Sequence, residues 1–173
     1  MPDGFETFDP ASELPPMRSQ RCAAMVEYWN MLRGDRPFPS REDIDPGAIK
    51  KLLPHVMITG IEYNPFRVFY RLVGTELVRF AKFDFTNCYA DSLRFQDTEG
   101  ADWAQFYRSV VEARRPGIGL SHWTVAGNLE RWIEFVICPL SSDGRVIDRC
   151  IALEDYEHLN MVELDALPPV LTE

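Results

Sequence analysis

The sequence is short of positive charge, of histidine and of long apolar runs, and each shortage removes a class of function. Its 173 residues hold 18 Lys and Arg against 27 Asp and Glu, a formal net charge of −9. Binding to a phosphate backbone needs a basic surface that displaces counterions, so a nucleic-acid partner is not expected. The same acidity disfavours docking on an anionic membrane. No stretch approaches the roughly 20 apolar residues of a membrane-spanning helix. The opening, MPDGFETFDPASELPPM, is acidic and proline-rich and lacks the basic and apolar regions of a signal peptide. A cytoplasmic location is therefore expected. The three histidines, His55, His122 and His158, lie far apart. Cys22, Cys88, Cys138 and Cys150 form no C-x-x-C pair and match no zinc spacing, so reduced thiols are expected, several of them small core residues. HExxH, P-loop and GxGxxG motifs are also missing.

What is present suits one packed domain, since 46% of the residues are hydrophobic and 12% aromatic. Residues 1–17 read as a loose leader because of their prolines. Residues 18–33 read as an amphipathic helix, with Cys22, Met25, Val26, Trp29 and Leu32 on one stripe and Gly34 at its end. Asp45-Pro46 predicts a short helix carrying Ile49, Leu52 and Leu53 as far as Pro54. Residues 55–62 and 66–73 read as a β-hairpin across Asn64-Pro65, with Val68, Tyr70 and Leu72 expected on one face. A short helix from Thr75, the possible cap, to about Lys82 follows. A longer one spans about 98–114, with Trp103, Phe106, Tyr107, Val110 and Val111 on its apolar face. Strands are expected at 118–126, 130–140 and 145–154, and a short helix after Tyr156. Flanking helices thus occupy 18–54, the core domain 55–156 and a tail 157–173. If the first strand pairs centrally with the last, the result is a five-stranded antiparallel sheet with helices on one face, an α+β fold.

This order resembles the PAS domain family. The segment RVFYRLVGTELVRFAKFDFTNCYADSL is similar to a PAS strand, helix and loop, and RWIEFVICPLSSDGRVIDRCIAL to the closing PAS hairpin. The start, EYWNMLRGDRPFPSREDIDPGAIKKLLPHV, resembles the leader of a bacterial PAS subfamily of short stand-alone proteins. Together these cover about residues 25–155. The resemblance implies a PAS-like fold and a sensory or regulatory role. It carries over no known ligand or activity.

PAS domains bind ligands between the inner sheet face and the helices. Here Tyr70, Leu72, Trp123, Ile133 and Phe135 are expected on that face, with Phe80, Phe83 and Phe106 approaching from the helices. The interior so formed reads either as a small-molecule pocket or as a filled aromatic core. Thr86-Asn87-Cys88 is similar to the Asn-Cys of flavin-binding PAS domains. The continuation Tyr89-Ala90-Asp91-Ser92 departs from theirs, and Trp123, Ile133 and Ala152 fall where the flavin ring needs polar partners, so flavin is not expected. Haem is not expected either, because alternation turns His122 away from the interior. Glu154-Asp155 and Asp43/Asp45 read as solvated acids. Glu134 is expected on the outer sheet face, paired with Arg71 or Arg131. No catalytic grouping emerges and an enzyme is not expected. Helix 18–33, through Met25 and Trp29, is expected to cover its own sheet or to form a homodimer. With no output domain in the sequence, a separate output protein is the expected partner.

Overall fold

A computed structural model describes residues 5–10, 12–94, 103–125, 129–156 and 171–172, without the side chains of 94, 121–132 and 171–172. Its centre is a six-stranded antiparallel sheet. In chain order the strands are β1 (Glu6–Thr7), β2 (Val56–Glu62), β3 (Arg67–Val73), β5 (Gly117–Val125), β6 (Leu129–Leu140) and β7 (Arg149–Asp155). In space they run β1-β5-β6-β7-β2-β3, so the first long strand pairs with the last, Val56 opposite Leu153. A second, two-stranded sheet joins β4 (Leu93–Arg94) to β8 (Leu171–Thr172). The sixth strand of the large sheet comes from the expected leader. Glu6 pairs with Ile118, and the Phe5 ring lies 4.8 Å from Phe106. A row of apolar partners inside outweighs the local preference of a proline-rich segment.

Among the described residues three α-helices pack on the sheet: α1 (Gln20–Arg33), α2 (Thr75–Ala81) and α3 (Trp103–Ala113). Helix α1 starts where Ser19 accepts the Cys22 N–H and stops at Gly34, whose φ of +54° glycine tolerates best. Helix α2 is capped by Gly74 rather than by Thr75. A Cβ at position 74 would stand 2.3 Å from the Pro54 carbonyl oxygen, so the turn closes only on a glycine. The helix expected after Pro46 is instead a run of turns leading into a 3₁₀ turn, Leu53–His55, which contains Pro54. Residues 145–148 are not strand. Asp143 and Asp148 hold this loop by accepting from backbone N–H groups of Arg145, Val146 and Ser142. The expected helix residues 98–102, the turn at 127–128 and the helix after Tyr156 fall outside the described residues.

Strand alternation gives the sheet two faces. On β6 and β7, Phe135, Ile137, Ala152 and Glu154 share the inner face toward α2 and α3, while Glu134, Val136, Cys138, Leu153 and Asp155 share the outer face under α1. A β-bulge shifts the register on β3: Thr59 faces Tyr70, but Ile58 faces Leu72, leaving Arg71 unpaired. Leu72 therefore turns to the other face and stands 41% exposed, against the expectation that it joins Tyr70 inside.

Candidate functional site

The outer face comes first, because it fixes what α1 does. Cys22, Met25, Val26 and Trp29 are buried against the chain's own β6 and β7. Trp29 Nε1 donates to the Pro139 carbonyl at 2.7 Å. Met25 and Trp29 are 0% and 1% exposed, so they are not available to a second subunit. Where α1 begins, two buried carboxylates face each other across neighbouring strands, Glu134 opposite Asp155. Like charges in such a pair repel, and the start of α1 supplies the compensation. Glu134 accepts the Arg18 and Ser19 backbone N–H groups, each at 2.9 Å. Asp155 accepts the Ser19 hydroxyl at 2.5 Å and the Arg21 guanidinium at 2.7 Å. Glu134 thus lies on the expected face, but its partners are backbone donors of the helix start rather than Arg71 or Arg131.

The inner face builds a different site. Helix α2 brings Leu77, Phe80 and Ala81, β2 and β3 bring Met57 and Tyr70, and β7 brings Glu154, with Tyr156 just beyond its end. Phe85 and Trp103 close the ring. The Phe80 and Tyr156 rings stack at 4.3 Å and 9°, and Tyr70 meets Phe85 edge-on at 4.9 Å. Behind them Trp103, Phe106 and Phe135 form a second cluster, with Trp103 5.0 Å from Phe135. Between these walls the described residues leave a cavity of about 10 Å³, the space of one water.

Into this apolar space the fold sets polar groups. Glu154 is partly buried there, and loss of solvation pushes its carboxyl up to about 7, while the hydrogen bond from Tyr156 pulls it back down. Tyr156 Oη donates to Glu154 Oε2. Burial raises the Tyr156 phenol well above its ordinary value, so it stays a donor. Behind the strand, His55 Nδ1 donates to the Glu154 carbonyl at 3.1 Å. Among the described residues, the Trp103 indole N–H, the Tyr107 hydroxyl and the Thr59 hydroxyl are buried without a hydrogen-bond partner. Tyr107 and Thr59 lie near enough to influence each other but miss hydrogen-bond geometry. No Lys, Arg or His lines the space among the described residues.

Of the residues expected here from the sequence, Tyr70, Phe80 and Phe135 line the interior. Phe106 packs behind them and Ile133 is buried in the same core. Phe83 is only partly buried and lines neither interior space. Leu72 is on the other face, and the Trp123 side chain lies outside the described set. Glu154 and Asp155, expected as solvated acids, are both drawn inside, one on each face. Continuing the alternation Cys150, Ala152, Glu154 would have placed Glu154 inward. Its burial depends on helices that the local pattern does not contain. Cys88 stays outside the interior, pinned by its carbonyl to the Tyr70 N–H. Burial raises the Cys22, Cys138 and Cys150 thiols, which marks them as packing groups rather than nucleophiles. Among the described residues no three His, Cys, Asp or Glu gather as metal ligands, and no helix is long and apolar enough to cross a membrane.

An antiparallel sheet with its last long strand beside its first, helices over one face and a small interior beneath them, defines an α+β domain of the PAS type. Residues 17–151 match the family model described as PAS domain, and the chain belongs to that family. Membership supports a sensory or regulatory role. Two solved structures are similar. The light-state structure of the blue-light photoreceptor Aureochrome1 LOV is 12% identical over 69% of this chain and 92% of that one, with a TM-score of 0.42. An RNA-binding Light-Oxygen-Voltage receptor is 18% identical over 70% of this chain and 35% of that one, with a TM-score of 0.41. No curated protein matches.

Proposed function

We propose that this chain is a PAS sensory or regulatory module that reads a small molecule in the interior between β7, α2 and α3 and signals to a separate output protein or a second copy. The observation that carries the reading is the set of hydrogen-bonding groups in an aromatic interior: the Glu154 carboxyl and the unpartnered Trp103 indole N–H. An unsatisfied buried donor costs about 1–3 kcal/mol, and a core that only packs has no use for one. A second reading is favoured by how little space the described residues leave inside, about 10 Å³, far below a preformed pocket. It makes the chain a protein-interaction adaptor with a filled core. A homodimer through α1 would have to use the helix's outer side, where Met31 is 67% exposed. A role in the cytoplasm, binding rather than catalysing, fits both readings. Native mass spectrometry of freshly purified protein separates them. An added mass that is lost on denaturation is expected for a sensor, and the bare chain mass in every preparation would favour the adaptor.

A further inference from the structure

Tyr156 sits in the interior in the manner of a bound ligand. Its ring is 5% exposed and lies flat on Phe80 at 4.3 Å, and its hydroxyl donates to Glu154. It follows directly on Asp155, the last residue of β7. Around that ring the walls are Tyr70, Phe85 and Trp103. Ring faces carry negative electrostatic potential, and beside a carboxylate they form the recognition chemistry of an organic ammonium. The interior also holds one acid and, among the described lining residues, no cationic side chain to balance it. Tyr156 answers the shape of the space and donates one hydrogen bond, but it leaves the charge uncompensated.

We propose that Tyr156 is a displaceable stand-in, and that the ligand of this interior is a single-ring arylalkylamine whose ring takes the stack on Phe80 and whose ammonium takes Glu154. This rests on the reading of the interior as a ligand site. A primary ammonium supplies the same donor as the phenol, a positive charge besides, and further N–H groups. The ligand needs no preformed cavity, because the phenol ring that leaves vacates the volume the ligand ring fills. Displacement would free the chain at the end of β7, directly after Asp155, which holds the start of α1.

The test is calorimetric titration of the full chain with benzylamine and with its neutral isostere benzyl alcohol, about one pH unit above the Glu154 midpoint. The wild type is expected to bind benzylamine at least about tenfold more tightly than the alcohol. Tyr156→Phe, which keeps the ring and loses the competing hydroxyl, is expected to bind the amine more tightly than the wild type. Tyr156→Ala is expected to bind it more tightly still, and Glu154→Gln to abolish the preference for the amine. Binding of both probes with equal affinity would overturn the amine assignment and leave the ligand site standing. Binding only in Tyr156→Ala would show an engineered hole and overturn displacement in the natural chain. Binding of neither probe to the wild type, to Tyr156→Phe or to a folded Tyr156→Ala would remove both the amine and the ligand site.

Discussion

Glu154 and Asp155 are neighbours on one strand, the first partly and the second almost wholly buried, and their surroundings differ in kind. Asp155 on the outer face meets a hydroxyl and a guanidinium, and its cross-strand companion Glu134 meets two backbone N–H groups. Glu154 on the inner face meets one phenol and a wall of rings. The outer pair is compensated, so its carboxylates hold a helix in place. The inner acid has no cation beside it among the described lining residues and favours the neutral form.

Three substitutions test this contrast. The largest effect is expected at Glu134→Ala, which strands two N–H groups at the start of α1 and is predicted to cost about 3 kcal/mol, the relief of repulsion with Asp155 offsetting part of the loss. Urea unfolding measures it, and hydrogen exchange of α1 should speed up with it; a neutral result would mean the carboxylate pair does not hold the helix. Glu154→Gln should act in the opposite direction. A carboxyl raised from 4.5 to about 7 keeps its proton in the folded chain while the unfolded chain has already lost it. Its contribution to stability is therefore full below about pH 4.5, falls as pH rises, and is gone once pH passes about 7. The variant cannot ionise, so it should lose this slope and be more stable than the wild type by about 2 kcal/mol at alkaline pH. Parallel pH profiles for the two proteins would show that Glu154 is compensated after all. The smallest effect, about 1 kcal/mol, is expected at Ser19→Ala, which removes the α1 cap and one donor to Asp155. A melting temperature equal to the wild type's would place the cap's role elsewhere.

The two faces of the sheet are legible in the residues themselves, but the contrast between Glu154 and Asp155 is not. Alternation along β6 puts Phe135 inward and Glu134 outward, and the apolar spacing of residues 22–29 gives an amphipathic helix that either covers its own sheet or meets a second copy. The failures have physical causes. Leu72 was misplaced because one extra residue, Arg71, bulges from β3, and a bulge reverses every later side chain without leaving a mark in the hydrophobic pattern. Glu154 and Asp155 were read as solvated because their covers, Trp103 on one side and Ser19 and Arg21 on the other, come from distant parts of the chain. The sixth strand was missed for the same reason, since Phe5 earns its place only against Phe106 and Phe135.

The sheet order also sets a timetable. The hairpin of β2 and β3 joins residues close in sequence, and the Gly74 N–H closes it by donating to Val56 at 2.8 Å. The other edge of β2 waits for β7, about a hundred positions further along the chain. During synthesis, therefore, the aromatic walls from β3 and α2 emerge well before the strand that carries the acid. A nascent chain holding only the early half exposes Tyr70 and Phe80 as an unfinished apolar surface. The Glu154 carboxyl joins the interior only after Met57, Tyr70, Phe80 and Trp103 have been made.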